Sequence, residues 1–127
     1  MQKTISQVLG FHAIADKVKE RAIAFQTAYK LSRLFKSIEN ELVFYHEKLR
    51  EIICRHAELD EEGNPIFVDG GAAVKLIAGH ESDCYEEMQE LQAIEVELPD
   101  ISFTVGEFGD MEVTMEQMEA IMPFIAE

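Results

Sequence analysis

Ala28, Leu31, Phe35, Ile38, Leu42, Tyr45, Leu49, Ile52 and His56 recur at spacings of three and four residues. Four consecutive heptads thus carry apolar or aromatic side chains at nearly every seam position. Lys30, Arg33, Lys36, Glu39, Glu41, Glu47, Lys48, Arg50 and Glu51 fill the positions between. The pattern predicts one long amphipathic helix over residues 23–58, about 50 Å at 1.5 Å per residue. Asp60-Glu61-Glu62-Gly63-Asn64-Pro65 then supplies turn residues,. Ile66-Phe67-Val68 reads as a short strand closed by Asp69-Gly70-Gly71.

Val74, Ile77, Cys84, Met88 and Leu91 keep a related rhythm and predict a second helix over 72–93. It would return antiparallel to the first as a helical hairpin over 23–93. Upstream, Thr4-Ile5-Ser6-Gln7 matches a capping box and opens a first helix over 4–20,. Downstream the period changes to two. Val96 and Leu98 alternate with Glu95 and Glu97, and Ile101, Phe103 and Val105 alternate with Ser102 and Thr104,. Gly109-Asp110 is read as a turn into a return strand, Met111-Glu112-Val113. Thr114-Met115-Glu116-Gln117 repeats the capping-box pattern and starts a final helix over 115–125, with Pro123 bending or ending it,. The expectation is an α+β, mainly helical fold in a single domain over 1–127. An antiparallel long-helix hairpin dominates it, followed by a small β element and terminal helix over 95–125.

Composition narrows the class. At 127 residues with 47% apolar and 28% charged residues, the chain matches an ordinary folded domain,. No apolar run approaches about 18 residues, and no secretory signal opens the chain, so an intracellular setting without a membrane span is expected. Cys54 and Cys84 are too few for a disulfide scaffold,.

Charge is uneven. Residues 1–58 carry about +3 and residues 59–127 carry −17, within a total of −14. Such a surface repels polyanions, so direct nucleic-acid binding is not expected. The acidic half would keep the chain soluble, meet a basic partner, or pair with the basic half.

Chemistry-bearing motifs are few. His80 and Cys84 share a helix face, whereas Cys54 and His56 point apart,. These spacings match no standard zinc form, and His46-Glu47 and His80-Glu81 lack a zinc-protease second histidine. The acidic run Asp60-Glu61-Glu62 lacks the ligand pattern of a calcium loop, and Asp83-Glu86-Glu87-Glu90 lies on a helix and reads as a solvated acidic row. No nucleophile elbow, phosphate loop or dinucleotide fingerprint appears. No catalytic residue, metal or cofactor is predicted. Two interaction surfaces are. One is the seam Leu31, Phe35, Ile38, Leu42, Tyr45, Leu49 and Ile52, because a 36-residue helix outruns a 22-residue partner and would favour a homodimer. The other is a soft C-terminal patch, Phe108, Met111, Met115, Met118 and Met122, since methionines adapt to irregular contacts.

The order of elements carries a resemblance. Ala28-Tyr29-Lys30-Leu31, the charged helix with Glu39 and Tyr45, the Glu62-Gly63 break, a helix with Glu90-Leu91, Glu95-Val96-Glu97-Leu98 and a closing helix resemble small uncharacterised proteins encoded by tailed bacteriophages and prophages. The similarity covers about residues 20–125. It implies a bacterial cytoplasmic or virion-associated setting and a non-enzymatic protein–protein interaction role, as an assembly or accessory factor with a phage or host partner, and transfers no catalytic residue. An inhibitor that blocks a basic site on a host protein is the alternative expectation.

Overall fold

A computed structural model describes residues 1–126. In chain order it contains β1 (Gln2–Thr4), α1 (Ile5–His12), α2 (Ala15–Lys19), α3 (Phe25–His56), β2 (Phe67–Val68), β3 (Ala73–Val74), α4 (Glu81–Gln92), β4 (Glu95–Glu97) and α5 (Met115–Ile121). Short 3-10 turns cover Asp69–Gly71, Val105–Phe108 and Met122–Phe124. The fold is α+β and mainly helical. Where one domain is expected, the chain divides into two compact units, Met1–Leu42 with Glu95–Glu127 and Val43–Ile94. The last residue of that expected domain, Glu127, lies outside the described residues.

In the first unit, β1 pairs antiparallel with β4, with Lys3 opposite Val96. Thr4 caps α1 as the capping box requires: its hydroxyl accepts from the Gln7 amide at 3.1 Å, and the Gln7 side chain accepts from the Thr4 amide at 3.0 Å,. The predicted single helix over 4–20 is two, α1 and α2, separated by a turn at Ala13-Ile14. Phe11 is fully buried, with the rings of Phe124, Phe35 and Phe103 at centroid distances of 4.2, 5.4 and 6.4 Å. Ile5, Val8, Leu34, Ile38 and Ile121 complete this core.

The predicted strand over 101–105 and its return over 111–113 are not strands. Only Phe103 makes a bridge, parallel to Ile125. The chain instead turns at Val105–Phe108, where the Glu107 side chain reaches back to accept from the Thr104 amide, a capping box of the T-x-x-E form,. Thr114 and Gln117 form the expected box at the start of α5. The helix predicted to 125 gives way at Met122 to a 3-10 turn around Pro123, whose ring cannot continue an α-helix,.

In the second unit the last half of α3 and α4 run antiparallel. Arg55 meets Glu87, while Phe44, about three turns earlier on α3, and Ile94, just past the end of α4, line the same groove,. The second helix is shorter than predicted: residues 72–80 are not helical. Gly71 and Gly79 sit at φ +93° and +87°, a left-handed conformation that interrupts a helix and that glycine adopts without a Cβ penalty,. The intervening residues pair as β structure. β2 and β3 form a two-stranded ladder, the Lys75 amide donates to Ile66 O at 2.8 Å, and the Ile77 amide donates to His56 O at 2.9 Å. The apolar spacing of Val74 and Ile77 thus misled the helical reading. Tyr45, Ile52, Ala57, Cys84 and Leu91 form the apolar core of this unit.

Candidate functional site

The seam of α3 is spent on the chain's own interior. Leu31, Phe35, Ile38, Leu42, Tyr45 and Ile52 are buried and Leu49 is half-buried. Ala28, on the predicted seam, is exposed, and Leu34, which was outside it, is fully buried. As a docking surface the seam therefore needs correction: side chains packed inside a unit do not meet a partner without unfolding it.

The C-terminal methionines divide. Phe108, Met111 and Met118 are half-buried, with the Phe108 ring 5.5 Å from that of Phe103. Met115 and Met122 are 83% and 60% exposed. They lie seven residues apart, with Glu119 between them, from the first residue of α5 to the right-handed cap residue that ends it, away from buried Ile121,. Glu112 and Glu116 are also exposed, so an apolar stripe with an acidic border faces solvent.

A second surface of the first unit was missed by sequence reasoning. A groove of about 490 Å³ lies between α2 and α3. Val18, Leu31 and Phe35 form its buried floor, and half-buried Ile23 joins them. Lys19, Arg21 and Lys36 stand along the rim with one anion, Glu39. Lys19 and Lys36 have no carboxylate partner among the described residues, whereas Arg21 pairs with Asp110. Its signal was present in the Lys17–Arg21 basic run beside Val18 and Ile23, but which side of a five-residue helix faces α3 is decided by packing.

Glu107 organises the neighbouring turn. Its carboxylate accepts from the Thr104 amide at 3.0 Å, buried Thr27 Oγ1 at 3.0 Å and Lys30 Nζ at 2.9 Å. The Lys30 ammonium, then the Thr104 amide, hold this carboxyl below the usual range,. The sequence carried the signal in Thr104-Val105-Gly106-Glu107.

The second unit contains the densest titratable cluster. Glu87 accepts from Arg55 Nη1 at 2.6 Å and from His56 Nε2. His56 Nδ1 lies 3.1 Å from His80 Nδ1. Between the two Nδ1 atoms one ring donates and the other accepts, so the pair shares a single proton across this contact,. The His56 ring, followed by Arg55, lowers the Glu87 pKa. Burial pushes the Cys84 thiol up, as suits a core side chain,. The two histidines do meet, but Cys54 is half-buried elsewhere on α3, and no group of three or more His, Cys, Asp or Glu among the described residues could hold a metal ion. The cluster joins donors to acceptors within itself, and no buried side-chain polar atom among the described residues lacks a partner. Glu87 was read as part of a solvated acidic row. Its spacing, seven after His80 and three after Cys84, places it on the inner face instead,.

The two halves of the charge distribution pair in part, through Arg21–Asp110, Lys30–Glu107 and Arg55–Glu87. No helix among the described residues is long and apolar enough to cross a membrane. These features define an α+β, mainly helical protein with exposed apolar and charged surfaces. No family model, curated protein or solved structure matches the chain.

Proposed function

We propose that this chain is a non-enzymatic protein-interaction factor that offers the exposed methionine stripe of α5 to a protein partner, as a phage-derived assembly or accessory factor. The observation that carries the reading is the solvent exposure of Met115 and Met122 on one helix face with an acidic border. Unbranched thioether side chains fill irregular apolar surfaces, and the flanking carboxylates favour a partner with a basic rim. The phage setting rests on resemblance in element order.

The test is affinity capture from bacterial lysate, with and without phage infection, comparing the wild type with Met115→Glu/Met122→Glu. Both positions are exposed, so the variant keeps its fold. A phage structural protein retained by the wild type and lost by the variant is the expected result. Equal capture by both overturns the use of this face. The exposed acidic residues that follow residue 59 favour a second reading, inhibition of a basic host protein. Release of one host protein at high salt would support it.

A further inference from the structure

We infer, resting on the use of the methionine face above, that the partner of this face is a second copy of the chain, and that its receptor is the basic-rimmed groove between α2 and α3. The two surfaces match in chemistry. The stripe is apolar with the carboxylates of Glu112, Glu116 and Glu119 around it. The groove has an apolar floor, and Lys19 and Lys36 on its rim have no carboxylate partner among the described residues. The rim carries three cations against one carboxylate, Glu39, with Arg21 already paired to Asp110, so Lys19 and Lys36 leave it basic, and the carboxylates that suit it are carried by the same chain,. The floor lies deep, because Val18, Leu31 and Phe35 are each buried, so a thin flexible side chain enters more readily than a branched one,.

The position of the surfaces determines the symmetry. α2 is the ridge between them. Its Lys17 reaches Gln117 of α5 at 3.4 Å, whereas its Val18 and Lys19 turn into the groove. Arg21 borders both, lining the groove and pairing with Asp110 ahead of the methionines. Complementary surfaces side by side on one unit can be satisfied together across a two-fold axis, each copy giving its stripe and receiving the other's. The assembly is therefore a closed dimer with two equivalent contacts. It differs from the seam dimer expected from the sequence.

Sedimentation equilibrium and native mass spectrometry over a concentration series test this. The wild type is expected to form dimers that weaken with added salt. Met115→Glu/Met122→Glu and Lys19→Glu/Lys36→Glu each change exposed residues, so circular dichroism and melting should stay at wild-type values while dimer affinity falls at least about tenfold. Mixing the two variants is decisive. The mixed pair keeps one intact stripe-in-groove contact, so it should associate more tightly than either variant alone. A chain that stays monomeric at about 1 mM overturns the inference. So does a dimer indifferent to both variants, or a mixture no tighter than its components. If the chain is monomeric but the Met115/Met122 face still captures another protein, only the identity of the partner fails. If capture of that protein is also indifferent to the methionines, the reading of the face fails too.

Discussion

The two units are held together by different means. In the first, Phe11, Phe35, Phe103 and Phe124 come from four separate segments and pack ring against ring. In the second, a smaller apolar core is joined by a charged and hydrogen-bonded cluster, Arg55, His56, His80 and Glu87. Apolar packing is non-directional and tolerates contributions from remote segments. A buried polar cluster fixes geometry, but each member depends on its partner, because an orphaned donor retains its full desolvation cost.

The sharpest way to break the first unit is Phe11→Ala. It empties the centre of the aromatic cluster and should cost about 3–5 kcal/mol in urea unfolding, with loss of amide protection across α1 and β1. A cost below about 1 kcal/mol would remove Phe11 from the centre of that core.

The corresponding cut in the second unit is Glu87→Ala. It leaves buried His56 Nε2 without its carboxylate partner and should lower the urea-unfolding midpoint,. His56→Ala combined with Glu87→Ala should cost less than the sum of the single changes, and a double-mutant cycle measures the difference.

Glu107→Gln is a milder change, expected at about 1 kcal/mol, because the amide keeps an acceptor oxygen while the charge pairing with Lys30 is lost. The folded-state pKa of the Glu107 carboxyl lies below its unfolded one. Its contribution is therefore complete above the unfolded pKa and is lost as pH falls through the depressed folded value. Glu87 behaves in the same direction. Acid titrations of stability should show a shallower acid limb for Glu107→Gln than for the wild type. Identical limbs would remove the Lys30 pairing as the cause.

The smallest expected effect is at Gly79, φ +87°. Alanine there meets no atom within 4 Å but adopts a strained backbone, for about 1 kcal/mol of destabilisation,. A stabilising Gly79→Ala would show that this turn relaxes without loss.

Legibility in the sequence followed the range of the interactions. The long helix, predicted over 23–58, spans Phe25–His56, because one apolar seam repeats through the whole segment,. The capping boxes at Thr4 and Thr114 form as read, since each is a three-residue contact. The segment 72–80 was misread because Val74 and Ile77 suit a helix and a strand equally, and the decision fell to Gly79 and to hydrogen bonds with residues 56 and 66. Glu107 was legible in principle, in Thr104-Val105-Gly106-Glu107, but the strand-like alternation of Ile101, Phe103 and Val105 masked it. For the candidate surfaces, the methionine patch was marked by composition, although only packing separated exposed Met115 and Met122 from half-buried Met111 and Met118.

By itself the sequence determined where the long helix runs, where two helix starts are capped, and how charge divides along the chain. These depend on neighbours within a few residues, or on simple counting. The tertiary structure alone decided that β1 pairs with β4, that the α3 seam is consumed by the interior, that Glu87 meets Arg55 and His56 of α3, and that a basic groove opens beside α2. Each of these joins residues distant in sequence, and the burial that selects such partners exists only once the chain has folded.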